Sequence, residues 1–298
     1  MSRTNRSVLM TIIVVLAIGA LVAVAGAPGS AEFAGVPLFS LAVAAAFIIQ
    51  IIVYLPAMLM RTEKFFDLTG AMTFTLISIA LLVLAPSPDT RSWVLAAMVI
   101  LWAVRLGPFL FLRVRKAGSD KRFDNIKEKP LVFLRVWILQ GLWVSLTASA
   151  AWIAMSSEAS LREPIGWLSI IGIVLWVFGI TFELTADLQK SAFKADPKNT
   201  DTFIHTGLWS LSRHPNYFGE IVLWAGVFLV AVPVLNGWQW IVLLSPIFVT
   251  ILLTRISGVP MLEAGAEKRW GGQADYKTYK EQTPVLIPRL TIFLQRFE

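Results

Sequence analysis

Apolar segments long enough to cross a membrane recur from one end of this chain to the other. About 20 helical residues span the hydrocarbon core of a bilayer, where backbone N–H and C=O groups must be paired within the protein. The apolar runs cover residues 8–27, 37–60, 70–86, 92–112, 131–154, 165–187, 217–233 and 237–256. The sequence therefore predicts an all-α polytopic membrane bundle of eight spans.

The composition agrees with a membrane protein and excludes several kinds of site. Of the 298 residues, 56% are hydrophobic and only 15% are charged, whereas soluble domains carry about 25% charged residues. The chain has no cysteine, which excludes disulfides, thiolate metal sites and cysteine nucleophiles. Its two histidines, His205 and His214, are too few for a His-rich metal centre. We therefore predict no metal site.

The distribution of positive charge predicts the orientation of the spans. With both termini in the cytoplasm, 24 of the 26 Lys and Arg residues lie on inner segments, and only Arg91 and Arg162 lie on outer loops. This asymmetry follows the positive-inside rule. The cations are divided among separate membrane-adjacent loops with no recognisable nucleic-acid-binding motif, so we predict no nucleic-acid partner.

The first apolar run resembles a signal peptide because Arg3 and Arg6 precede it. It lacks a convincing cleavage site and further spans follow, so we interpret it as a retained helix. The expected organisation is an N-terminal transmembrane helix with an outer loop over residues 1–36. A transmembrane domain with cytosolic loops and a C-terminal tail follows over residues 37–298.

Three acidic residues lie within or at the end of predicted spans, where charge is costly and often functional. Glu183 and Asp187 are four residues apart on one face of the sixth span, and Glu220 lies near the start of the seventh. The alternative interpretation of each is a residue that reaches the membrane interface or pairs with a nearby Arg. Their proximity to one leaflet favours a polar ligand site.

The segment that precedes the seventh span predicts an anion site. Pro215 suits the first turn of a new helix, so Arg213, His214 and Asn216 lie where the helix begins. Free backbone N–H groups and the positive end of the helix dipole attract anions at such a position. Asn216 can also hydrogen-bond an amide. A simple helix cap explains the Arg-His-Pro element equally well.

A second cationic cluster runs from Arg105 to Arg122 and includes Arg113. It is interpreted either as an anchor to the inner leaflet or as a set of Arg side chains that clamp phosphates. Neither a Gly-x-Gly-x-x-Gly nor a Walker A pattern follows a predicted strand. A bound nucleotide would therefore be held by helix ends and Arg residues.

These residues together resemble the steroid 5-alpha-reductase superfamily, most closely its bacterial branch of 3-oxo-5-alpha-steroid 4-dehydrogenase-like proteins. The resemblance extends from about Arg105 to Pro288. It is carried by Arg105-Leu-Gly, Gly118-Ser-Asp-Lys-Arg-Phe123, Glu183…Asp187, Ser212-Arg-His-Pro-Asn-Tyr-Phe-Gly-Glu220, and a tail with Arg255, Tyr279 and Pro284-Val-Leu-Ile-Pro288. The Arg-His-Pro element also occurs in isoprenylcysteine carboxyl methyltransferases, so it does not by itself choose between NADPH and S-adenosylmethionine.

The resemblance implies a seven-helix reductase core, here preceded by an N-terminal helix, with NADPH in a cytosol-facing cavity. It also implies a bacterial inner-membrane location. The residues expected to bind the cofactor are Arg105, Arg113, Asp120, Arg122, Asp187, Lys194, Arg213, His214, Asn216, Glu220, Arg255 and Tyr279. Lys194 stands where the animal enzymes have an Arg, which keeps the charge but loses the planar fork.

The implied substrate is a lipophilic enone, such as a 3-oxo-Δ4 steroid, that enters from the bilayer. The animal enzymes have a Gln-Glu pair facing the steroid ketone, and Val53-Tyr54 stands at that pair here. Tyr54, Asp67 and Glu183 are therefore the expected catalytic residues, because each can donate a proton or a hydrogen bond when protonated. Expected partners are the substrate and membrane lipids, and a monomer is expected.

Three other functions fit parts of the sequence. A lipid or isoprenoid methyltransferase that uses S-adenosylmethionine accounts for Arg213-His214-Pro215 but needs fewer phosphate-binding cations. A non-enzymatic lipid-binding or scaffolding subunit would tolerate the loss of the buried acids. A proton-coupled transporter fits less well, because the acids cluster at one leaflet rather than at the midplane.

Overall fold

The computed structural model describes residues 3–289, apart from the side chains of residues 3, 4, 113, 116, 117 and 121. The α-helices are α1 (Arg3–Gly26), α2 (Leu38–Leu59), α3 (Phe66–Leu84), α4 (Thr90–Ala117), α5 (Pro130–Ser156), α6 (Trp167–Ala195), α7 (Pro215–Ala231), α8 (Leu244–Ile251), α9 (Gly258–Trp270) and α10 (Ala274–Gln282). The strands β1 (Glu32–Phe33) and β2 (Val36–Pro37) form an antiparallel hairpin after α1. A π-helical turn, Leu252–Ile256, joins α8 to α9.

Eight segments of the described chain are long and apolar enough to cross a membrane. They are Asn5–Gly26, Leu38–Leu59, Phe66–Leu84, Thr90–Leu112, Pro130–Ser156, Trp167–Ala195, Pro215–Val234 and Gly237–Trp270. The predicted all-α class and the number of spans are therefore confirmed, and the chain is an integral membrane protein.

The predicted end of the sixth span at residue 187 is too early. Helix α6 continues to Ala195, so Lys190 and Lys194 lie on a helix rather than in a loop. The prediction followed hydropathy, but the polar residues that continue α6 include good helix formers, and Pro197 is the first residue that prevents continuation.

The chain divides into two compact units, each with its own internal contacts. The first unit comprises Met1–Ile170 with Val227–Ser245, and the second comprises Ile171–Gly226 with Pro246–Glu298. Within the first unit, α5 packs against α1, α2, α3 and α4. Phe133, Trp137 and Trp152 of α5 are fully buried. Apolar residues on all sides of α5 are typical of a helix enclosed by other helices.

Polar side chains inside the first unit pair across helices. The Gln50 amide nitrogen on α2 donates to the Thr73 hydroxyl on α3 at 2.9 Å. The Trp152 indole N–H on α5 donates to the Ser78 hydroxyl on α3 at 3.2 Å. Such bonds link helices in a hydrocarbon environment, which offers polar groups few other partners.

The two arginines predicted on outer loops bind backbone carbonyls. Arg91 is 1% exposed, and its guanidinium donates to Glu163 O at 2.7 Å and to Pro164 O at 3.0 Å. Arg162 donates to the carbonyl of Ser87. Arg91 lies in the first turn of α4 rather than in a loop, and it links α4 to the α5–α6 connection. Arg162 links the α5–α6 connection to the α3–α4 connection.

Helices α6 and α7 approach closely in the second unit because glycines face each other at two levels. A Cβ on Gly219 would lie 2.7 Å from the Gly179 carbonyl oxygen and 2.7 Å from the Glu183 backbone nitrogen. A Cβ on Gly226 would lie 2.5 Å from the Gly172 carbonyl oxygen. Small residues allow such backbone contact between membrane helices. This contact sets the register of α7 against α6.

A buried carboxylate joins two connections of the first unit, the one after α2 and the one after α4. The side chain of Glu63 is 2% exposed, and it accepts hydrogen bonds from the Asp120 backbone N–H at 3.0 Å and from Lys127 Nζ at 3.2 Å. Burial favours the protonated form of Glu63, but these donors outweigh it and hold the pKa below its ordinary value. The Glu63 carboxylate therefore stabilises this side of the unit while it is ionised.

We predict that Gly219→Ala lowers the stability of the protein by about 1–3 kcal/mol, because the added methyl group collides with the α6 backbone. Gly265→Ala on α9 is the matched control, since a Cβ there meets no atom within 4 Å. The control should be neutral or more stable by up to about 1 kcal/mol, owing to the helix propensity of Ala. Thermal unfolding followed by Trp fluorescence measures both variants. Equal unfolding temperatures for Gly219→Ala and the unaltered protein would contradict the close packing.

The lowered pKa of Glu63 predicts an acid-sensitive stability. Because the pKa of Glu63 is lower in the folded protein than its ordinary value of 4.5, ionised Glu63 stabilises the fold above pH 4.5. This stabilisation is lost as the pH falls through the pKa of the folded state. We expect Glu63→Gln to lower the free energy of unfolding by about 1–3 kcal/mol at neutral pH. The variant should also lose less stability than the unaltered protein as the pH falls. Unfolding temperatures across the acidic range provide the test, with the exposed Glu128→Gln as control. A Glu63→Gln profile that parallels the unaltered one would refute this role.

Candidate functional site

The junction of α6 and α7 brings together two of the residues predicted to bind a cofactor. Helix α7 begins at Pro215, as predicted, and places Asn216 in its first turn. The Asn216 amide nitrogen donates to Asp187 Oδ1 on α6 at 3.2 Å. Glu183, one turn earlier on α6, is 3% exposed, and Glu220 is partly buried on α7. The predicted acidic and amide side chains therefore all lie on α6 or α7, near the junction of the two helices.

The predicted Arg-His element is held by an acid that the sequence analysis missed. Glu263 of α9 accepts from Arg213 Nη1 through Oε2 and contacts His214 Nε2 through Oε1, with both distances 2.8 Å. His214 is 5% exposed, and its ring stacks on Tyr217 at 5.7 Å with an interplanar angle of 11°. One carboxylate thus fixes two consecutive side chains at the start of α7.

The chain after α10 runs beside the same element. The Arg213 backbone N–H donates to Pro284 O at 2.9 Å, and the Ser212 hydroxyl donates to Leu286 O at 2.8 Å. The Ser212 oxygen also accepts from the His214 backbone N–H at 3.2 Å. These bonds satisfy backbone groups just before α7, where no helical partners exist. The C-terminal segment therefore helps to shape the loop that carries Arg213 and His214.

A cavity of about 770 Å³ lies within the second unit, bounded by the end of α6, the connection to α7, α9 and α10. Its lining includes the cations Lys190, Lys194, Arg213 and Arg269. Lys190 Nζ lies 4.4 Å from the centroid of the Trp209 ring, and Arg269 forms an ion pair of 2.7 Å with Asp201. The volume is within the range of roughly 300–1,000 Å³ that is typical of small-molecule sites.

Aromatic rings form another part of the lining. Phe203 lies 5.1 Å from Tyr276, 5.3 Å from Tyr279 and 6.0 Å from Trp270, measured between ring centroids. The Tyr279 hydroxyl donates to Trp209 O at 2.7 Å, and burial raises the pKa of this phenol. The ring faces of such a cluster suit planar heterocycles, since stacking needs no specific hydrogen bonds.

Tyr54, a predicted catalytic residue, lies in the first unit and bonds to backbone there. Its hydroxyl donates to Pro130 O at 3.0 Å. The Met58 sulfur lies 2.9 Å from the Tyr54 hydroxyl oxygen. The ring packs against Phe133 with centroids 5.8 Å apart. In this arrangement the Tyr54 hydroxyl joins α2 to the start of α5.

The remaining candidates of the first unit lie near the connection between α4 and α5. Arg122 donates through Nε to Asp120 Oδ2 at 2.8 Å, and its Nη2 lies 3.2 Å from Asp67 Oδ2. These carboxylates raise the pKa of Arg122, although burial acts in the opposite direction. Arg105 is partly buried within α4, and the side chain of Arg113 lies outside the described residues. Asp67, Asp120 and Arg122 thus form one charged group.

The cavity gathers some of the predicted cofactor residues but not others. Lys194, Arg213, His214 and Tyr279 belong to its described lining. The described residues that line it do not include Asp187, Asn216, Glu220 or Arg255. Arg255 is exposed and lies in the π-helical turn between α8 and α9.

Glu263 carried a signal in the sequence that was overlooked. It is the single charged residue in the stretch Gly258-Val-Pro-Met-Leu-Glu-Ala-Gly-Ala266. A lone acid in an apolar stretch of a membrane protein is costly unless it is paired, which marks it as a functional candidate.

Comparison with known proteins identifies a family for most of the chain. Residues 53–283 match the family described as Protein of unknown function (DUF1295). No curated protein and no solved structure matches the chain. The matched range includes the α6–α7 junction, Glu263 and the aromatic lining. The chain therefore belongs to the DUF1295 family, which is a steroid 5-alpha-reductase-like family.

Proposed function

We propose that this protein is an NADPH-dependent membrane reductase of the bacterial branch of the steroid 5-alpha-reductase superfamily. It reduces the C=C bond of a lipophilic enone, such as a 3-oxo-Δ4 steroid, that reaches it from the bilayer. The observation that carries the proposal is the cavity of about 770 Å³ lined by both cations and aromatic rings. A dinucleotide phosphate needs both features, because it combines anionic phosphates with two planar heterocycles.

The residues of the second unit fit the parts of such a cofactor. Lys190 and Lys194 supply positive charge for phosphate groups at the end of α6. Phe203, Tyr276 and Tyr279 offer ring faces to a heterocycle. Asn216 does not belong to the described lining, and it remains a proposed contact because its buried side-chain oxygen has no hydrogen-bond partner among the described residues.

Reduction of an enone adds a hydride at the β-carbon and a proton at the α-carbon. NADPH, when bound, supplies the hydride and becomes NADP⁺. The chain must supply a group that stabilises the negative charge on the carbonyl oxygen and a source of the proton. Tyr54, Asp67 and Glu183 are the residues that the resemblance proposes for these roles, and each is largely shielded from water within its own unit.

The proposed location is the bacterial inner membrane, with both termini and the cavity on the cytoplasmic side. Support comes from the 24 of 26 Lys and Arg residues on segments assigned to that side. Lys190, Lys194, Arg213 and Arg269 of the cavity belong to those segments. This orientation exposes the site to the cellular pool of NADPH.

A second candidate function is an S-adenosylmethionine-dependent methyltransferase acting on an isoprenoid or another lipid. One observation favours it: Arg213 and Arg269 of the cavity already pair with the carboxylates of Glu263 and Asp201. Paired cations attract phosphates less strongly, and S-adenosylmethionine carries no phosphate. The aromatic lining suits its adenine ring equally well.

We predict that the purified protein binds NADPH and that Lys194→Ala weakens this binding about tenfold, because a charge-assisted contact to phosphate is lost. Lys198→Ala is the matched control, since Lys198 is an exposed cation near Lys194 that is not part of the described lining. Titration calorimetry in detergent measures both affinities, together with that for S-adenosylmethionine. Tight S-adenosylmethionine binding without NADPH binding would reverse the assignment.

A further inference from the structure

The hydrogen bonds of Glu263 determine which ring nitrogen of His214 carries a proton. A carboxylate can only accept hydrogen bonds, so the 2.8 Å contact between Glu263 Oε1 and His214 Nε2 requires a proton on Nε2. The other oxygen, Oε2, accepts from Arg213 Nη1 at 2.8 Å, which balances the carboxylate charge. In the neutral imidazole, the second nitrogen Nδ1 is then a hydrogen-bond acceptor.

His214 Nδ1 is buried and has no hydrogen-bond partner among the described residues. The residue is 5% exposed, and Tyr217 stacks on its ring, so water has little access to this acceptor. His214 and Glu263 both border the cavity of the second unit. Buried polar atoms are nearly always paired in native proteins, so an unpaired acceptor on a residue that borders a cavity is a candidate contact for a ligand there.

We infer that Glu263 is a positioning residue that holds His214 in its Nε2–H tautomer, so that Nδ1 accepts a hydrogen bond from an O–H or N–H group of the molecule in the cavity. This inference rests on the proposed function for the identity of that molecule. In NADPH, the donors of this kind are the ribose hydroxyls, the adenine amino group and the carboxamide N–H groups. Arg213 acts beside His214 by orienting the same carboxylate.

The substitution Glu263→Gln provides a sharp test because it reverses the hydrogen-bonding requirement. The Gln amide has one oxygen that accepts and one NH₂ group that donates. Arg213 can only donate, so the amide oxygen turns to Arg213 and the NH₂ group faces His214 Nε2. Nε2 must then accept, and the proton moves to Nδ1. The change preserves the shape of the side chain and inverts the tautomer.

The measurement is ¹⁵N solid-state NMR of the full chain in lipid vesicles, with ¹⁵N-labelled histidine. The chain contains only two histidines, so His205→Gln leaves His214 as the single signal. His205 is exposed and does not belong to the described cavity lining. In spectra recorded at about pH 8, protonated and unprotonated ring nitrogens give separate resonances.

We expect a protonated Nε2 and an unprotonated Nδ1 in the His205→Gln protein, and the reverse after addition of Glu263→Gln. Glu267→Gln is the matched control, because Glu267 lies on the same helix and pairs with Lys280 instead. This control should leave the His214 tautomer unchanged. A protonated Nδ1 before substitution, or a tautomer that Glu263→Gln leaves unchanged, would overturn the positioning role.

Addition of NADPH distinguishes this inference from the proposed function. Binding should shift the Nδ1 resonance, and Glu263→Gln should weaken NADPH binding roughly tenfold. Calorimetric saturation with NADPH without a shift of Nδ1 would refute the acceptor role of His214 while leaving the cofactor assignment intact. Failure to bind NADPH would refute the cofactor assignment, whereas the tautomer of the ligand-free protein would still decide the role of Glu263.

Discussion

The contact between the backbones of α6 and α7 is the constraint on which the candidate site depends. Gly219 and Gly226 of α7 meet Gly179 and Gly172 of α6 with no room for a Cβ on Gly219 or Gly226. Membrane helices gain little from apolar burial against one another, since lipid tails are equally apolar. Close packing is therefore a main source of specificity in their register. This register places Asn216 opposite Asp187 and starts α7 near the acid Glu183.

Parts of the second unit that are distant in sequence complete the site around that start. Glu263 from α9 bonds to Arg213 and His214, and the segment after α10 bonds to the backbone around Ser212. Tyr279 from α10 bonds to the carbonyl of Trp209. The elements that border the cavity therefore supply hydrogen-bond partners for one another's polar groups. Such reciprocal satisfaction holds side chains in place before a ligand arrives, which reduces the entropic cost of binding.

The eight spans were predictable from hydropathy because each membrane-spanning helix must be a continuous apolar segment of sufficient length, which is visible in the sequence. The start of α7 was predictable as well, since Pro215 determines where a helix can begin. The extension of α6 through Lys190 and Lys194 was not predicted, because the residues there favour a helix although they are no longer apolar. Glu263 itself was detectable as a lone acid in an apolar stretch, but its pairing with Arg213 and His214 was not, because they are about 50 residues away in sequence and meet it only in the fold. That Tyr54 and Asp67 belong to the first unit and the cavity residues to the second was not predictable either, since the division of the chain depends on contacts between distant residues.

We propose that the cavity bordered by Lys194, His214 and Tyr279 holds a phosphorylated dinucleotide. Mass spectrometry of the small molecules that co-purify with the protein in mild detergent tests this claim most directly, because it requires no assumed substrate. We expect denaturation to release NADPH or NADP⁺ in proportion to the protein. Release of S-adenosylmethionine or S-adenosylhomocysteine in that proportion, with no nicotinamide dinucleotide, would contradict it.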